Sequence, residues 1–295
     1  MTTEDMNPRF ADLDLWSTVD GLKALHGEQA AAVASVGPAL PALAAAIDAS
    51  APRLARGGRL IYVGAGTSAR IGVQDGAELF PTFNWPREQV VFVIAGGEGA
   101  LLQAVENAED SGTDGAKRIE EIGAGPNDVV IGVAASGETP FTVAALKAAR
   151  KRGALTVGVA NNVGSQLLQA SEHPVLIETG PEPVAGSTRL KAGTAQKVVL
   201  NLFSTMVMVR IGRVYRGLMV DMRPTNEKLR RRAVQMVVTL TGCTTEHATS
   251  AMSNADGDVK LAVLIARGMD RRTAEALLEK SGGNLRQAMA GITHR

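Results

Sequence analysis

Two short stretches rich in glycine and hydroxyl side chains, Gly64-Ala-Gly-Thr-Ser-Ala-Arg-Ile-Gly72 and Ala134-Ala-Ser-Gly-Glu-Thr-Pro140, each follow an apolar run, Arg59-Leu-Ile-Tyr-Val63 and Asp128-Val-Val-Ile-Gly-Val133. A strand that turns through glycine into a helix aims several backbone N–H groups and the positive end of the helix dipole at one point, which suits an anion. Thr67, Ser68, Ser136 and Thr139 would add neutral donors, with Gly64, Gly66 and Gly137 shaping the loops. The chemistry this points to is the binding of a phosphate that carries a sugar. Two acids stand out: Glu78 in Gln74-Asp-Gly-Ala-Glu-Leu-Phe80, at the far end of the first loop's helix among apolar neighbours, and Glu109 in the helix after the second strand. Carboxyl groups in unlike surroundings divide into acid and base. A helical Glu is usually a solvated side chain, and the residues alone do not make either one catalytic.

Other chemistries fit less well. Gly64-Ala-Gly-Thr-Ser-Ala69 satisfies the G-x-G-x-x-A dinucleotide form, but the acid expected about 20 residues later is missing from Leu79 to Pro86, and Glu98 comes too late. No nicotinamide or other cofactor is expected. His26, His173, His247 and His294 lack ligand spacing, and Cys243 is the sole cysteine, so neither a metal site nor a disulfide is expected. There is no Gly-x-Ser-x-Gly elbow for a Ser/His/Asp hydrolase.

The loops need a scaffold, and the chain alternates to provide one. Strands are expected near 59–63, 90–94, 128–133, 154–159 and 174–178, with helices from Thr67, Glu98, Asp114 and Thr139. Continuous apolar runs such as Val90-Val-Phe-Val-Ile94 suit strands buried on both faces. This is an α/β fold with a doubly wound parallel sheet. It is preceded by Ala-rich helices over Val19–Ala55, broken near Gly37-Pro38, whose apolar face calls for a partner such as another subunit. Strand signals stop after Met222-Arg-Pro-Thr225, and helices follow at about 225–241, 245–254, 258–268 and 271–291. We therefore expect domains at 1–222 and 223–295, the second a small bundle resembling ubiquitin-associated domains.

Composition agrees with this reading. With 45% hydrophobic but 3% aromatic residues, the core of this 295-residue chain must be built from Ala, Val, Leu and Ile. A net charge of +1 with dispersed Lys and Arg makes nucleic acid an unlikely partner. The N-terminus lacks a signal-peptide core, and Val198–Val209, read as the most lipid-like stretch, is too short for a span of roughly 20 residues. A cytoplasmic location without membrane attachment is expected.

The stretch Gly180-Pro-Glu-Pro-Val-Ala-Gly-Ser-Thr-Arg-Leu-Lys-Ala-Gly-Thr-Ala-Gln-Lys197 resembles the signature shared by N-acetylmuramic acid 6-phosphate etherases and glucokinase regulatory proteins. Thr3-Glu4, Asn7-Pro8, Gly64-Ala-Gly-Thr-Ser68, Glu78 before Pro81-Thr82, Ala95-Gly-Gly-Glu98, Ala108-Glu-Asp-Ser111, Met219-Val-Asp221 and Thr225-Asn-Glu-Lys228 match the etherases in order. The resemblance implies a sugar isomerase (SIS) fold, a homodimer, and cleavage of a lactyl ether in cell-wall sugar recycling. It also implies that Glu78 protonates departing lactate and Glu109 removes the C2 proton. Two positions depart from the etherase pattern: Ala69 stands where Gly is usual, and Glu138 where Arg is usual. A non-catalytic phosphosugar sensor resembling the regulatory proteins is the alternative, and an aldose–ketose isomerase is a third.

Overall fold

A computed structural model describes residues 2–103 and 105–290. His294 lies outside them. The chain divides into two compact units, the larger comprising Met1–Ala77 with Glu88–Thr205 and the smaller Glu78–Arg87 with Met206–Arg295.

The larger unit is built on five parallel strands, β1 (Leu60–Gly64), β2 (Val90–Ile94), β3 (Val129–Ala134), β4 (Leu155–Ala160) and β5 (His173–Leu176), in the order β2-β1-β3-β4-β5. The central strands β1, β3 and β4 are buried at every residue, as their unbroken apolar runs require. Helices α1 (Thr18–Ala34), α2 (Leu40–Ala55), α3 (Gly66–Ala77), α5 (Gly112–Glu121), α6 (Pro140–Lys151) and α7 (Gln166–Ala170) belong to this unit, as does the first part of α8 (Lys191–Arg210). Glycine lets helices approach where aromatic residues are scarce. A Cβ on Gly115 of α5 would lie 2.1 Å from the Phe141 carbonyl of α6, too close for any side chain.

The N-terminal ends of β1 and β3 are pinned by one ion pair. Asp128 accepts from the Arg59 amide at 2.8 Å, from Arg59 Nη2 at 2.6 Å and from the Gly125 amide at 2.9 Å. Burial pushes this carboxyl up, but the Arg59 and Gly125 hydrogen bonds outweigh it and hold it below the usual carboxylate range. A carboxyl lowered on folding stabilises the native state above its unfolded value, about 3.9, and that contribution fades as pH falls through the folded value. Asp128→Ala should lower stability by about 1.5 to 3 kcal/mol at neutral pH, the range for hydrogen bonds to a charged group, because the pair is only partly buried. Urea unfolding at pH 7 and in acid checks this, because the gap between variant and parent should narrow in acid.

The smaller unit is helical among the described residues, apart from one isolated bridge at Tyr215–Leu218. It contains α4 (Leu79–Phe83), α9 (Glu227–Thr241), α10 (Thr245–Asn254), α11 (Val259–Ala266), α12 (Arg271–Lys280) and α13 (Leu285–Ala290). Asn226, Thr244, Asp258 and Asp270 cap α9 to α12 by accepting an amide three residues on. Val237, Ala262, Val263 and Leu264 lie in its core. Arg213 donates to the carbonyls of Phe83 and Asn84, each at 2.8 Å, and so holds the short 78–87 segment.

Three local expectations change. Glu78 does not end the first loop's helix: α3 stops at Ala77 and Glu78 occupies the N-cap position of α4. Pro81 explains the break, since it has no N–H to offer the Ala77 carbonyl. The helix expected from Glu98 is a single 3-10 turn, Glu98–Leu101, entered through Gly96 and Gly97 at positive φ. Among the described residues, the stretch apolar and long enough for a membrane span by length and composition is Thr18–Ala55, not Val198–Val209; its window has mean hydropathy 1.8 and is 33% buried.

Candidate active site

Because β1 and β3 are neighbours, with Gly64 opposite Val133, the two glycine loops emerge side by side at the C-terminal edge of the sheet. This is also where the strand order reverses direction, the place where open α/β sheets bind ligands. In the first loop, Gly66 adopts φ +51°, and the amides of Gly66, Thr67 and Ser68 donate to no other described residue. Three free N–H groups at a helix N-terminus favour an anion. In the second loop, Gly137 has φ +72°, and a Cβ there would lie 2.2 Å from Ser165 Oγ. The Gly137 carbonyl accepts from the Leu167 amide at 2.9 Å, fastening the loop to α7. Ser136 Oγ accepts from the Glu138 amide, and Thr139 takes the N-cap position of α6 without using its side chain as a cap.

Ser68 behaves differently from the free donor expected of it. It is 7% exposed, and its hydroxyl donates to Gln196 of α8 at 2.9 Å. Gln196 and its further partner Asn161 carry no mark in the sequence; only the signature around Gln196 draws the eye to one of them. Further along α3, Asp75 accepts from the Tyr62 hydroxyl at 2.7 Å and from Ser204 at 3.1 Å, and burial holds its carboxyl above the usual range. This ties α3 to β1 and α8.

The two candidate catalytic acids belong to different compact units. Glu109 lies in the larger, in a 3-10 turn, Ala108–Asp110, on the loop after β2, and Glu78 lies in the smaller. Both are exposed rather than held in apolar pockets. Arg70 donates to the carbonyls of Ala100 and Leu101, anchoring the loop that leads to Glu109. Among the described residues no group of three His, Cys, Asp or Glu side chains is placed to hold a metal ion. A cavity of about 1230 Å³ lies wholly within the smaller unit, between residues 220–225 and the α9–α12 helices, and holds none of the glycine-loop residues.

Residues 42–150 match the glucokinase regulatory protein N-terminal SIS domain, and residues 123–206 match the SIS domain. The chain is 50% identical over 288 residues to an N-acetylmuramic acid 6-phosphate etherase of Deinococcus radiodurans, covering 97% of this chain and 94% of that protein. An etherase of Cronobacter sakazakii is 46% identical, with 98% of each chain covered. The chain belongs to the N-acetylmuramic acid 6-phosphate etherase family. Solved structures agree on the fold: a phosphoheptose isomerase from Francisella tularensis superposes with a TM-score of 0.50 at 17% identity, covering 65% of this chain and 98% of that one.

Against the etherase pattern, both departures have local explanations. Ala69 is buried with Ile94 and Ala100 in a small apolar cluster that its methyl helps fill. Glu138 turns its carboxylate to the Gln166 amide, at 3.0 Å, at the start of α7. It therefore serves as an acidic partner for a helix N-terminus. Glu138→Ala should cost about 1 kcal/mol of stability yet give no tighter binding of a sugar phosphate; calorimetry and thermal melting read the two effects separately.

The 180–197 signature of the etherases is largely a fastening device. Glu182, fully buried, accepts from the amides of Lys191 and Ala192 at 2.8 and 2.9 Å and so caps α8. Burial raises its carboxyl, an effect partly offset by those amides. Lys191 reaches Glu28 of α1 at 2.8 Å, and Thr194 donates to Gln29.

Proposed function

We infer that the chain cleaves the lactyl ether of N-acetylmuramic acid 6-phosphate with water, giving N-acetylglucosamine 6-phosphate and D-lactate. The near full-length identity to etherases carries this reading. The match to the regulatory protein's N-terminal SIS domain spans residues 42–150 and is outweighed by that identity. The paired glycine loops supply what a phosphosugar needs, free amides flanked by the Thr67, Ser136 and Thr139 hydroxyls.

The chemistry asks for one base and one acid. Opening of the sugar ring exposes the C1 aldehyde and makes the C2 hydrogen removable. Glu109 takes that proton, the C2–C3 double bond forms, and the C3–O bond breaks as Glu78 protonates the departing lactate oxygen. Water then adds at C3, losing a proton to Glu78, while C2 recovers its proton from Glu109. Each carboxyl can contribute about 10²- to 10⁴-fold in such a scheme. Phosphate held remotely orients the reacting carbons. The reaction belongs to the 1–222 portion with its loops, in a cytoplasmic homodimer. Exposed Leu15, Val19, Leu22 and Val33 at the N-terminal helices support self-association there.

The deciding experiment incubates the metal-free protein with N-acetylmuramic acid 6-phosphate in ¹⁸O-labelled water. We expect D-lactate together with one solvent oxygen in the sugar product. Phosphosugar binding without lactate would instead favour a sensor.

A further inference from the structure

Ser68 is joined to a buried chain of side-chain amides whose direction is fixed at the far end. The Ile177 carbonyl can only accept, so the group facing it at 3.1 Å must be the NH₂ of Asn161. The same NH₂ lies 3.3 Å from Thr179 Oγ1. Asn161 Oδ1 therefore faces the other way and accepts from Gln196 Nε2 at 3.0 Å. Gln196 in turn presents Oε1 to Ser68, which must donate its hydroxyl hydrogen, at 2.9 Å. Reversing either amide would place like groups together at one or both ends. Asn161 is 3% exposed and Gln196 1% exposed, so water cannot replace a lost partner at little cost.

We propose that Gln196 is a positioning residue that commits the Ser68 hydroxyl hydrogen inward, so that Ser68 meets the ligand as an acceptor. Its lone pairs then suit a proton donor of the sugar, a hydroxyl or the acetamido N–H, and oppose a phosphate dianion. Phosphate is left to the free amides of the first loop and to the hydroxyls of Thr67, Ser136 and Thr139. Selectivity for the sugar is thereby separated from affinity for its phosphate. The proposal rests on the glycine loops being the phosphosugar site.

Binding of N-acetylglucosamine 6-phosphate and of inorganic phosphate is measured by calorimetry for the parent protein, Ser68→Ala, Gln196→Met and the double variant. Ser68→Ala should weaken the sugar phosphate by ~5- to 30-fold, as expected for one hydrogen bond, and leave inorganic phosphate within about twofold. Gln196→Met should cause a similar selective loss, and the double variant little more, because the two act as a unit. Equal weakening of both ligands by Ser68→Ala, or losses that add in the double variant, would overturn the proposal while leaving the etherase reading intact. If Gln196→Met does not fold, the Ser68→Ala comparison alone decides. A parent protein that binds neither ligand overturns the phosphosugar-site reading and this proposal with it.

Discussion

Glu78→Gln is expected to retain N-acetylglucosamine 6-phosphate while losing D-lactate release by about 10²- to 10⁴-fold, the range for one general acid. The amide keeps the size and polarity of the carboxyl but can neither give a proton to the ether oxygen nor take one from water. Because Glu78 is exposed at the N-cap position of α4 and makes no side-chain cap hydrogen bond, the substitution should barely change stability. Lactate release at saturating substrate, with product affinity by calorimetry, separates the two effects. Lactate release close to the parent rate would remove Glu78 from the mechanism.

Gly137→Ala should damage both the second loop and the protein's stability. Its φ of +72° disfavours a Cβ by about 1 to 2 kcal/mol, and the new methyl would meet Ser165 Oγ at 2.2 Å. Relieving such a clash costs typically about 1 to 3 kcal/mol, so product affinity should fall along with the melting temperature. Adding Ser165→Gly should recover part of the loss, since it removes the contact with Ser165 but neither the 2.9 Å approach to Ala160 Cβ nor the backbone strain. Equal behaviour of the single and double variants would mean that the clash contributes nothing.

The sheet was readable because β1, β3 and β4 combine unbroken apolar runs with turn residues at their ends, and such runs have few other uses in a chain with so few aromatics. The loop after β2 reads as helix in the sequence and forms only a 3-10 turn in the fold. Glu98 and its neighbours have suitable helix-forming types, but Gly96 and Gly97 at positive φ redirect the chain. Glu78 reads from sequence as the end of the first loop's helix, whereas the break that Pro81 imposes puts it at the start of α4. The paired glycine loops could be recognised locally, whereas the role of Ser68 could not. Its partner Gln196 is 128 residues away, and Gln196 meets Asn161 across another 35. No spacing rule links such residues, since only folding brings them together. Glu138 shows the same limit from the opposite side. A negative charge in a phosphate-type loop reads from sequence as a departure from the etherase pattern, and only the folded chain turns the carboxylate to the Gln166 amide.

The Arg59–Asp128 pair and the glycine loops sit at opposite ends of the same two strands. Five strand residues at about 3.3 Å each put them roughly 16 Å apart, beyond the distance at which substitutions usually influence one another. Changes in the loops can therefore accumulate without loosening the pins beneath them. Such an arrangement favours evolvability: a lineage can alter which phosphosugar it recognises while the anchorage of β1 and β3 stays as it was.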